Sequence, residues 1–225
     1  MEHTLDAYEA AIVEWNNCRT NSETLLNLIS SGSCFEISRA MYNSWTADSP
    51  EYIHAYLGID LPSSPSLCFM LIDSVKDSNP SSVTAENISF APYLDGFDEL
   101  KLIPHFSDAE NPNNDISVLA GLERSFRWIL NRKKYIENKV EEGGGENAGM
   151  FQVFHIPLGD LDSIFDDPNA DKALVIIGLK EDNTTAELIL WDENFNVHQT
   201  VEDVALPCPP FGQGGYSLMQ LALNP

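Results

Sequence analysis

LCFMLID, residues 67–73, is the stretch on which the fold turns. Six apolar residues run without a break and stop at Asp73. A run this short and this uniformly apolar reads as a strand buried on both faces. The residues before it carry helical spacing. Those after it alternate between strands and turns, with one long helix between them.

Working upstream, Leu5, Tyr8, Ile12 and Trp15 recur at spacings of three and four, which makes one helix face apolar. Leu25, Leu26, Leu28 and Ile29 come after the capping residues Asn21 and Ser22, and Gly32 stops that second helix. SCFE, residues 33–36, has the form of a capping box. It predicts a third helix with Phe35, Met41, Tyr42 and Trp45 on its buried side. SPE, residues 49–51, puts proline at the first position of a fourth helix, which Gly58 would end.

Working downstream, KDSNPSS (76–82) is polar and predicts a loop. ISFAPYL and FDELKLI flank Asp95-Gly96, a two-residue turn signal, and Pro92 pushes the first arm to a sheet edge. A long amphipathic helix is predicted from Asn114 or Asp115, with Ile116, Leu119, Leu122, Phe126, Ile129 and Ile136 along one face. EEGGGENAG (141–149) predicts a flexible loop. MFQVFHI and KALVIIGLK read as strands, the second apolar enough to be central. LDSIF (161–165) between them reads as a single helical turn. AELILW and FNVHQTV predict a hairpin across residues 192–194, and YSLMQLAL predicts a closing strand. The expected fold is α+β. Its N-terminal helices and one long amphipathic helix should pack on a mostly antiparallel sheet. The expected organisation is a single domain over 1–225, with a sub-boundary at 141–149 between a helix-rich part (1–140) and a β-meander (150–225).

The chain has 35 acids against 12 bases, a net charge of −23. That field opposes nucleic-acid phosphates and anionic membranes and favours a basic partner. No run approaches the length of a membrane span, and the acidic N-terminus lacks the apolar core of a signal peptide. The cysteines Cys18, Cys34, Cys68 and Cys208 contain no CxxC pair. The expected compartment is therefore the cytoplasm, with reduced thiols. The charge has one local exception. Arg124, Arg127, Arg132, Lys133, Lys134 and Lys139, half of all the bases, lie on the long helix. Arg124, Arg127 and Lys134 share a broad sector and are candidates for a partner-docking face. The favoured reading makes such bases internal counter-charges for the chain's own acids, with those of 160–171 as candidates.

Candidate chemistry is sparse. CPPFGQGGY (208–216) has three glycines but neither the lysine of a P-loop nor a helix behind a Rossmann turn. It reads as a turn or bulge feeding an edge strand, with Phe211, Gly212, Gly214, Gly215 and Tyr216 as candidates for the lip of a ligand site. Asp73, Asp192 and Glu193 end apolar strands, where open sheets place catalytic carboxylates, although acids also simply end strands. Asp160, Asp162, Asp166 and Asp167 lack the spacing of an EF-hand, whose fifth and sixth positions would be Ile164 and Phe165. His3, His54, His105, His155 and His198 form no metal motif, and no GxSxG elbow is present. His155 and His198 lie on predicted strands and could meet across a sheet.

These features support three functional expectations. The first is a non-enzymatic, immunity- or inhibitor-like module that binds a basic protein. The second is a small metal-assisted hydrolase using Asp73 with His155 or His198. The third is a small-molecule binding module built around the glycine segment. The first reading expects no cofactor and no metal, and the oligomeric state is left open.

Overall fold

The computed structural model describes residues 3–61, 65–95, 118–142, 149–192 and 215–223. Within them the fold is α+β, with two fully antiparallel sheets. The first helices are α1 (Leu5–Cys18) and α2 (Ser22–Ser30). Next come β1 (Cys34–Ser38), α3 (Arg39–Thr46), β2 (Tyr52–Asp60) and β3 (Ser66–Asp73). A single turn, α4 (Ser74–Asp77), leads towards β4 (Ser89–Pro92). The long helix is α5 (Val118–Glu142). The remainder is β5 (Val153–Pro157), α6 (Leu158–Phe165), β6 (Lys172–Leu179), β7 (Ala186–Asp192) and α7 (Ser217–Leu223).

One sheet has the order β4-β3-β2-β5 and the other the order β1-β6-β7. They stack face to face. Odd-numbered residues of β2 and β3, from Ile53 to Leu71, share one core with Phe35, Ile37, Val175, Ile177 and Leu188 of the other sheet. The rings of Phe35 and Phe69 stack across that interface at 4.1 Å. The outer face of the first sheet is covered by α1 and α7, whose Tyr8, Ile12, Leu218 and Met219 pack on Tyr56, Met70 and Ile72. The outer face of the second is covered by α5, with Leu122 on Leu174, Ile176 and Trp191. The sheets also join at one edge, where Cys34 and Leu94 exchange backbone hydrogen bonds of 2.7 and 3.1 Å.

The apolar run at 67–73 is β3, buried on both faces as expected. β6 is the centre of its sheet, and β4, which contains Pro92, is an edge strand. Several local expectations are overturned. SCFE opens a strand, not a helix, because β6 offers Cys34–Ser38 five backbone partners. The helical cap sits instead at Ser38, whose hydroxyl accepts from the Met41 amide at 3.3 Å. The helix predicted from SPE is β2. There Ser49 turns the chain at φ 45°, and Tyr52–Asp60 pairs with β3 on one side and β5 on the other. YSLMQLAL is a helix from Ser217, consistent with its Leu, Met, Gln and Ala content. KDSNPSS contains the end of α4 and a 3₁₀ turn over Pro80–Ser82. LDSIF extends to the eight residues of α6. The second arms of both predicted hairpins, the start of the long helix and most of the glycine loop lie outside the described residues.

Gly149, the last residue of that loop, joins the two parts on either side of the expected sub-boundary. Its amide donates to Lys139 O, and the next amide, of Met150, donates to Arg19 O at 3.0 Å. Among the described residues no helix is long and apolar enough to cross a membrane.

Candidate functional site

Asp73 ends β3 and starts the turn that builds the site. Its Oδ1 accepts from the Lys76 amide at 2.8 Å, an N-cap that closes α4. One turn later the chain delivers Asp77 against the outer face of the first sheet, with no exposed surface. Three donors converge on this carboxylate. Nδ1–H of His54 donates to Oδ2 at 2.6 Å, the Tyr56 hydroxyl donates to the same oxygen, and the Leu218 amide donates to Oδ1 at 2.8 Å. A buried carboxylate needs such a set, because each unfilled lone pair would carry a desolvation cost.

The strand register extends the site sideways. His54 stands directly opposite His155 on β5, and their rings stack at 4.7 Å. Tyr216 closes the group. Its ring packs 5.1 Å from His54, and its hydroxyl pairs with His155 Nε2 at 2.7 Å. Burial, reinforced by His54 and partly offset by Asp77, pulls the His155 pKa down from 6.5 to about 4. His155 is therefore neutral across the physiological range.

An aspartate bonded to histidine Nδ1 is the arrangement that fixes an imidazole tautomer in acyl-transfer sites. Here His54 is only 5% exposed, its ring is packed by His155 and Tyr216, and no described serine or cysteine bonds to it. What the group does mechanically is evident. Asp77 and His155 hold both ends of the Tyr216–Leu218 segment, and with it the first turn of α7, against the sheet.

The residues singled out in the sequence fare differently. Asp73 pairs with Ile53 in the register, one position away from the His54–His155 pair, so it occupies the opposite face of the sheet from His155. It is engaged by Lys76, whose Nζ is 2.9 Å away and also 2.6 Å from Asp48. The expected pairing of Asp73 with His155 is thus corrected: strand alternation separates them. His198, Phe211, Gly212 and Gly214 lie outside the described residues. Gly215 has φ 117°, the left-handed region that glycine tolerates, and it leads into Tyr216.

On the long helix, Arg124 faces inward and contacts both oxygens of Glu187 at 3.1 and 3.2 Å. Arg127 donates to Leu179 O at 3.2 Å, while Lys134 is exposed. Internal neutralisation is the role of Arg124, but its acid is Glu187 of β7, not one of 160–171. Of that acidic segment, Asp162 accepts from the Tyr42 hydroxyl at 2.7 Å. Among the described residues no group of three or more His, Cys, Asp or Glu side chains is arranged to hold a metal ion.

His54, Tyr56 and Asp77 are the residues that sequence reasoning misses as a group. A signal is present, since His54 and Tyr56 are two apart and share one face of any strand. Reading the segment as a helix conceals it. Comparison with protein-family models, with curated proteins and with solved structures finds no match for this chain.

Proposed function

We propose that this protein acts by binding a basic protein, as an inhibitor or immunity-like module does. The observation that supports this reading is the disposition of its few bases. Arg124 is bound to the buried Glu187 and Arg127 to a backbone carbonyl. Arg39 is held by the carbonyls of Phe165 and Ala170 at 2.9 and 2.8 Å. Bases used inside the fold do little to balance the surface. Asp6, Glu23, Glu51, Asp166, Asp171 and Glu181 are exposed, on a chain of net charge −23. A field of one sign accelerates encounter with the opposite sign and rejects like charge.

The reading is tested by titrating the protein against a panel of basic proteins, with acidic proteins and oligolysine as controls. One basic protein should bind stoichiometrically, with an association rate that falls steeply as the Debye length is shortened from about 30 to about 3 Å. Equal, weak binding to every polycation, or a rate indifferent to salt, overturns it.

A further inference from the structure

A second group of side chains lies at the other end of β2 from His54. There the first turns of α1, the end of β2 and β4 line an open cavity of about 350 Å³. This is near the small end of ligand pockets. One wall is a column of rings. His3 stacks on Phe90 at 4.2 Å with 21° between planes, and on Tyr8 at 5.5 Å with 18°. Ala7, Ala11 and Ile59 add small and apolar side chains to the lining.

The polar element is Asp60. By strand alternation it faces the same side as His54 and Tyr56, the side that α1 covers. It is half-buried, and no lysine or arginine among the described residues forms an ion pair with it. Burial first, and the Asp60 charge second, push the neighbouring Cys68 thiol up to about 12. A carboxylate with no counter-ion among the described residues, beside aromatic faces, is complementary to an organic cation: the carboxylate supplies the charge partner and the rings supply cation–π and stacking contacts. The chain's overall field acts in the same direction. A carboxylate ligand would meet Asp60 as a like charge, and a neutral aromatic would leave Asp60 unpaired. A volume of about 350 Å³ accommodates a guest of about one ring and a short alkyl arm.

We propose that the cavity lined by His3, Tyr8, Phe90 and Asp60 is a binding site for a small arylalkyl ammonium ion. The site is separate from the Asp77 network and from the basic-protein reading. The amine's ammonium group sits against Asp60 and its ring lies along the His3–Phe90 wall.

The test uses three probes of similar shape and different charge: phenethylamine, phenethyl alcohol and phenylpropionate. Each is titrated by calorimetry and by saturation-transfer NMR against the full chain. Phenethylamine should bind saturably and more tightly than the alcohol, and phenylpropionate should not bind. Asp60→Asn, which keeps the shape, should weaken the amine about tenfold or more and leave the alcohol unchanged. Ala7→Leu, in the first turn of α1, should abolish binding of both while leaving the melting temperature of the free protein intact. No saturable amine binding overturns the proposal. So does an amine affinity no better than the alcohol's, or one that Asp60→Asn leaves unchanged.

Discussion

His54 Nδ1 lies 2.6 Å from Asp77 Oδ2, and the two side chains are 6% and 0% exposed. Separated by 23 residues in sequence, they meet because β2 is central and α4 folds back over its outer face. Asp77 then reaches across to the Leu218 amide, so one carboxylate ties the first half of the chain to its last described helix.

Asp77→Ala should therefore do more than lose a bond. It leaves His54, Tyr56 and the Leu218 amide without their acceptor in a buried site, at a cost of about 3–5 kcal/mol. Asp77→Asn keeps the shape and should cost less. Denaturant unfolding gives the magnitude, and hydrogen exchange over Ser217–Leu223 shows whether α7 opens first.

The neutral His155 sets a pH dependence. Its folded pKa, about 4, is below the unfolded value of 6.5, so the unfolded chain binds more protons between those limits. Stability is present in full above the unfolded value and falls as pH drops from 6.5 towards 4. Discounted for the partial exposure of the ring, the loss is about 1–2 kcal/mol. His155→Phe should remove this part of the slope. Urea titrations of both proteins over that pH range compare them directly, with the remaining carboxylates cancelling in the difference.

Arg124 and Glu187 form a pair in which the carboxylate is 1% exposed. Burial holds the Glu187 pKa above its ordinary value despite the guanidinium beside it. Arg124→Met should cost about 3 kcal/mol or more by leaving a buried acid unpaired. Arg124→Met with Glu187→Leu should recover most of that loss, because neither charge then needs a partner. A double-mutant cycle in denaturant measures the coupling.

Gly149 has φ 95°, and a Cβ there would stand 2.3 Å from Arg19 O. Gly149→Ala should destabilise the fold by about 1–3 kcal/mol through backbone strain and the displaced contact with the end of α1. A lowered denaturation midpoint at unchanged m-value checks this, since compactness should be preserved.

Much of the architecture is legible one element at a time. α1 and α2 are marked by helical spacing and by the caps Thr4 and Asn21, whose side chains accept from Ala7 and Thr24. β3 and β6 are legible because a short, unbroken apolar run suits a strand buried on both faces. The errors fall where a local signal competes with a distant partner. SCFE can cap a helix, yet Cys34–Ser38 gains more by filling the edge beside β6, which lies far along the chain. Tyr52–Asp60 cannot be recognised as a central strand until β3 and β5 are set on either side of it.

By itself, then, the sequence determined the α+β class, the acidic field and the buried strands, because these depend on composition and on period along the chain. Only the tertiary structure decided which polar residues meet. Asp73 and His155 are divided by the two-residue period of the strands, whereas Asp77, His54, His155 and Tyr216 are gathered from four separate segments. Their meeting is set by sheet order and by the fold-back of α4, which are properties of long-range pairing and have no local signature.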